Sequence, residues 1–76
     1  MFDSKIFSAR VRSLRKEAGL SQKELGQSIG LTLQALSDIE NGRRTTTFEK
    51  LYALADYFNV STDYLLGRTD RKKADE

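Results

Sequence analysis

Leu33, Gln34, Ser37 and Asp38 share one face if residues 32–41 are helical. Together they offer a branched apolar group, an amide, a hydroxyl and a carboxylate. That set matches the edges of DNA bases. A glutamine amide pairs bidentately with adenine, a carboxylate accepts from the cytosine amino group, a serine hydroxyl donates or accepts, and an aliphatic side chain meets the thymine methyl. An α-helix fits the major groove, where its N-terminal outer residues reach the base edges. An ordinary solvated helix face is the competing reading. Against it, Leu33 is a large apolar residue on an otherwise polar face, and that face, which also holds Asn41, has no Lys or Arg. A face without cations suits base reading rather than phosphate binding.

The composition gives catalysis little to work with. The 76-residue chain has neither histidine nor cysteine. That excludes imidazole and thiolate metal sites, His-dependent triads, disulfides and a histidine pH switch. No paired carboxylates stand in a glycine-rich or cleft-like context. The chain is therefore expected to be no enzyme and to need no cofactor or metal. No apolar run approaches the ~20 residues that span a bilayer, and no signal-peptide core is visible. A soluble cytoplasmic protein with no membrane partner is expected. The length suits one domain with a marginal core, and the absence of proline among many helix formers favours an all-α fold.

The elements that must position the four residues are marked by caps. Ser21 stands three residues before Glu24, a capping box, with Leu20 and Leu25 at staple spacing around it. Leu25 and Ile29 form the buried face of this helix, and Gly30 stops it. Thr32 caps the next helix, whose Leu36 and Ile39 point inward and whose stop is Gly42. Two short helices joined by a tight turn make a helix-turn-helix.

Around this unit, Asp3 or Ser4 caps a first helix with a buried stripe of Phe7, Val11, Leu14 and Ala18, ended by Gly19. Arg10 falls toward the outside of that helix, where solvation is the simplest reading. Thr46 with Glu49 fits another capping box, so a fourth helix starts at Thr46 or Thr47. Its core face is Phe48, Leu51, Leu54, Ala55 and Phe58, and Asn59 is its left-handed stop. Ser61 caps a short fifth helix that Gly67 ends. Residues 1–67 form the domain, and 68–76 read as a polar, frayed tail.

Net charge is +2 but unevenly spread: residues 1–20 carry five basic and two acidic groups, 21–42 one and three, and 43–50 three and one. Cations thus flank the base-reading face, as expected if the flanks grip phosphate; scattered solubilising charge is the alternative. Asn41, Arg43, Arg44 and the amides near Thr47 are the phosphate candidates. Glu40 lies in the last turn of its helix, where the dipole disfavours an anion, so it needs a cation nearby or contact with water.

The ordered set LRKEAGLSQKELG, IGLTLQALSDIENGRR and LYALADYFNVSTDYLLG, over residues 14–67, resembles the lambda-repressor-like helix-turn-helix family of Cro/repressor (XRE) type. The resemblance implies a compact five-helix domain with the recognition helix beginning near Thr32. It implies that Arg15 pairs with Glu40, although Arg43 or water remains open on the residues alone, and that Gln22 contacts the DNA backbone. It points to a dimer contact around the fifth helix, with Thr62, Tyr64 and Leu65 as candidates. Two positions depart from the family. Gly26 stands where alanine is usual, expected to be sterically acceptable at roughly 1 kcal/mol in helix propensity. Leu33 stands where glutamine is frequent, so no operator follows by analogy.

The function expected is a sequence-specific transcriptional regulator, a repressor, bound as a homodimer to double-stranded DNA at a palindromic operator. The alternative is an antitoxin-like or protein-interaction module on the same fold. No small-molecule effector domain is expected.

Overall fold

The computed structural model describes residues 1–73. It contains five helices: α1 (Ser4–Glu17), α2 (Gln22–Ile29), α3 (Leu33–Glu40), α4 (Phe48–Phe58) and α5 (Thr62–Leu66). Local chemistry sets most of their ends. Asp3 accepts from the Lys5 amide at the start of α1. At α2 both halves of the capping box form: Ser21 Oγ accepts from the Glu24 amide at 3.0 Å, and Glu24 accepts from the Ser21 amide at 2.9 Å. Thr32, Thr47 and Ser61 cap α3, α4 and α5. Asn59, at φ 55°, is the non-glycine residue that takes the left-handed conformation and so ends α4.

The core lies where the helices converge. Phe7, Val11 and Leu14 of α1, Leu25 and Ile29 of α2, Leu36 and Ile39 of α3, Leu54 and Ala55 of α4, and Leu65 of α5 are all buried. α1 packs against α3 and α5, α2 against α3 and α4, and α4 against α5. α3 therefore rests with its inner face on α1 and α2, which fixes which of its residues remain outside. None of the described helices is long and apolar enough to cross a membrane.

Several expectations fail, each for a local reason. Ala18 is exposed: α1 ends at Glu17, and Leu20, after the Gly19 turn, packs on the core instead. The capping box of Thr46 and Glu49 does not form. Thr47 is the cap, its hydroxyl accepting from the Lys50 amide, so the position a capping-box glutamate would fill holds a lysine. Phe48 is 87% exposed rather than core. It is the first residue of α4, and helical side chains lean toward the N-terminus, so its ring overhangs the start of the helix, past the core.

The polar stretch after Gly67 is held in its described part. The Arg68 amide donates to Asp63 O and the Ser61 amide to Lys72 O. Arg10, expected to be solvated, anchors this stretch. It donates to the carbonyls of Tyr64 and Thr69 and to the Asp70 carboxylate, with its guanidinium 4.2 Å from the centre of the Tyr64 ring. The part of the expected tail from 74 to 76 lies outside the described residues.

Candidate nucleic-acid interface

α3 is eight residues long, and three of them, Leu36, Ile39 and Glu40, are buried. With Leu36, Ile39 and Glu40 buried, helical geometry leaves Leu33 and Gln34 exposed and Ser37 and Asp38 half-exposed along the opposite ridge. Leu33 and Gln34 stand open, while Asp38 is partly covered by Gln34 and Arg43. Leu33 is 55% exposed, an apolar side chain held in water by a helix that needs its other leucine inside. The polar members are linked to one another. Gln34 Nε2 donates to Asp38 Oδ1 at 3.0 Å, Arg43 Nη1 donates to the same oxygen at 3.3 Å, and Asn41 Nδ2 donates to Ser37 Oγ at 3.3 Å.

Below the C-terminal end of the ridge sits the ion pair. Arg15 Nε donates to Glu40 Oε2 at 2.7 Å and Nη2 to Oε1 at 3.0 Å, while Nη1 donates to Leu20 O at 2.8 Å. The Glu40 hydrogen bond, more than its Coulomb attraction, raises the Arg15 pKa further above its already high ordinary value, against the opposing effect of burial. Arg43, the alternative partner, is engaged with Asp38 instead. Gln22 Nε2 donates to Glu40 Oε1 at 3.1 Å. The first residue of α2 is thereby fixed to the last turn of α3, and the N-terminus of α2 lies beside the ridge. Nothing in the local sequence signals this contact, because the two residues are 18 apart.

The flanking cations divide. Arg43 and Arg44 are exposed, as is Thr47 at the open amides of α4. Lys50 turns toward α2: its Nζ donates to Ile29 O at 3.0 Å and satisfies the C-terminal end of that helix. Ser8 was missed altogether. Buried in α1, its hydroxyl lies 2.7 Å from Ile39 O and 2.8 Å from Ser4 O, tying α1 to the end of α3.

Two of the dimer candidates are occupied within the chain. Leu65 is fully buried in the core and has no surface to offer. Tyr64 is half-buried beneath Arg10. Only Thr62 keeps partial exposure without such a role.

The ridge lies on the second helix of a helix-turn-helix with Arg43 and Arg44 exposed just beyond it, and the helix-turn-helix family model matches residues 11–65. The chain belongs to the helix-turn-helix family of transcriptional regulators, Cro/repressor type. It is similar to the HTH-type transcriptional regulator ImmR of Bacillus subtilis, with 36% identity over 67 residues, covering 88% of this chain and 53% of ImmR. The HTH-type regulator y4dJ of Sinorhizobium fredii is 39% identical over 66 residues, covering 87% of this chain and 86% of y4dJ. The chain thus spans about half the length of ImmR and most of y4dJ. Among solved structures, the P22 c2 repressor in complex with a synthetic operator superposes with a TM-score of 0.77 at 33% identity, covering 80% of this chain and 92% of that one. The controller protein C.AhdI of Aeromonas hydrophila superposes at 0.75 and 30%, covering 83% and 96%. These family members are regulators and not enzymes, and the five-helix fold is theirs.

Proposed function

We propose that the chain binds double-stranded DNA with α3 in the major groove, as a two-fold pair on a palindromic operator, and represses transcription there by occluding polymerase. The observation that carries this reading is the outward ridge of Leu33, Gln34, Ser37 and Asp38, opposite the buried Leu36 and Ile39. Gln34 reads adenine and Leu33 lies against a thymine methyl. Arg43, Arg44, Asn41, Gln22 and the amides at Thr47 grip phosphate on either side. The likeness to a repressor crystallised on its operator supports the same docking.

One such ridge reads only a few base pairs, and pairing places two of them about 34 Å apart, one turn of DNA. With Leu65 buried, the apolar surface left for the contact lies elsewhere. Phe2, at 49% exposure, and Phe48 border a groove of about 300 Å³ that Phe7, Thr45, Thr46, Leu51 and Leu66 also line. Exposed apolar surface gathered in this way marks interaction sites, and a projecting ring beside a groove suits the self-complementary contact of a two-fold dimer. Phe48→Ser should shift sedimentation toward monomer and weaken operator binding more than random binding.

Selection from randomised duplexes tests the central claim. A two-fold symmetric site should emerge. Affinity for random duplex should fall by ~10³–10⁵ between 50 and 200 mM salt if about 6–10 phosphates are contacted. Gln34→Ala should relax one base position by about 1–3 kcal/mol, whereas Arg43→Ala should weaken all sequences alike. No enriched site, or binding indifferent to salt, would end this reading.

A further inference from the structure

On the reading that α3 presents Gln34 to a base, we propose that Asp38 is a positioning residue, one that fixes which end of the Gln34 amide faces the DNA, rather than a reader of cytosine. Gln34 Nε2 donates to Asp38 Oδ1 at 3.0 Å from one turn away. A carboxylate only accepts. Turning the amide over would set Gln34 Oε1 against Oδ1, two acceptors in contact, so Asp38 selects one of two amide orientations. The selected orientation leaves one Nε2 proton and the whole of Oε1 free. One N–H and one carbonyl are what a glutamine needs to pair with N7 and N6 of adenine. Asp38 thus sets the order of donor and acceptor along the ridge.

The same oxygen accepts from Arg43 Nη1 at 3.3 Å. The Asp38 side chain is 22% exposed where that of Arg43 is 66% exposed, so the carboxylate sits under its partners and the guanidinium faces outward. A guanidinium has five N–H donors, and one bond to Asp38 leaves four for phosphate. The arginine charge also offsets the repulsion between Asp38 and the DNA backbone. One carboxylate therefore holds a base reader and a phosphate clamp in register.

The test compares the wild type with Gln34→Ala, Asp38→Ala, the double variant and Asp38→Asn on single-base variants of the selected site, at one salt concentration. Asp38→Ala should relax the same base pair as Gln34→Ala, by about 5- to 150-fold, the discrimination of one bidentate contact. The double variant should be no more relaxed than Gln34→Ala alone, the non-additivity of a shared contact. Asp38→Asn offers a donor as well as an acceptor, so it no longer dictates which end of the Gln34 amide turns outward and should lose part of the preference at that same base pair, while binding every sequence more tightly for want of a negative charge near phosphate. Relaxation at a second base pair, additive with Gln34→Ala, would make Asp38 a reader in its own right and overturn the proposal alone. A Gln34→Ala protein with every base preference intact would overturn the base-reading assignment and this proposal with it.

Discussion

Arg15 and Glu40 meet at two points, Nε to Oε2 and Nη2 to Oε1, and their side chains are only 11% and 2% exposed. The pair joins α1 to the last turn of α3, and Gln22 extends it to α2. A carboxylate so covered is stable only while its cation is present. Removing one partner of a buried pair costs on the order of 3–5 kcal/mol, because the remaining charge stays buried. Arg15→Ala should therefore lower the melting temperature far more than Arg12→Ala, which alters an exposed position on the same helix. Equal shifts in thermal denaturation would mean that the pair does not hold the domain together.

The capping box of α2 should give stability an acid limb. The Ser21 amide, and after it the Ser21 hydroxyl, hold the Glu24 carboxyl below its ordinary pKa. A carboxyl whose folded pKa is depressed adds stability above its unfolded pKa, and that share is lost as pH falls through the folded value. Glu24→Gln keeps an acceptor for the Ser21 amide but cannot titrate. The gap in melting temperature between wild type and Glu24→Gln should therefore be present at neutral pH and close as the carboxyl protonates in acid. Glu24 is fully exposed, so the gap should be small and should shrink with added salt. A gap that persists unchanged into strong acid would mean the carboxylate is not part of the cap.

What the sequence made legible was local or periodic. Ser21, Thr32, Ser61 and Asn59 act through bonds to residues a few positions away, so their types announce the helix ends. Leu36 and Ile39 fix one face of α3 and, by exclusion, the ridge opposite. Arg15 and Glu40 needed the family resemblance, since no spacing rule links residues 25 apart. What stayed hidden depends on how the helices stack. Periodicity put Phe48 on the core face of α4 and the resemblance put Leu65 in a dimer contact, yet the first overhangs the start of its helix and the second is sealed in the core. Arg10, read as solvated, and Gln22, which the resemblance sends to the DNA backbone, each meet a group distant in the chain that folding brings within reach, as does Lys50.

Gly26 separates propensity from packing. In helix propensity alone, alanine would stabilise this position by roughly 1 kcal/mol. A Cβ built there, however, would lie 2.6 Å from Leu31 O, in the turn that joins α2 to α3. That oxygen belongs to backbone, and the same turn is closed by the Leu31 amide donating to Gly26 O at 2.8 Å, so relief requires the turn to move. Overpacking of this kind typically costs about 1–3 kcal/mol. Gly26→Ala should therefore destabilise the domain in chemical denaturation and, by shifting α3 relative to α2, weaken operator binding. A more stable Gly26→Ala protein would show that the turn yields easily.

Arg10 fastens the end of the described chain to α1 and α5. Its guanidinium serves two carbonyls, on Tyr64 and Thr69, and the Asp70 carboxylate while covering the Tyr64 ring. Asp70 is fully exposed, so the ion pair itself adds little. The hydrogen bonds to carbonyls from a mostly covered cation are the stronger part, about 1.5–3 kcal/mol for a charged donor. Arg10→Ala should cost stability of that order, whereas Asp70→Asn should cost almost none. Arg10→Ala should also loosen residues 68–73, seen as faster cleavage by a lysine-specific protease at Lys72 and Lys73 under native conditions. Cleavage as slow as in the wild type would mean that the Ser61–Lys72 backbone bond, and not Arg10, holds this stretch in place.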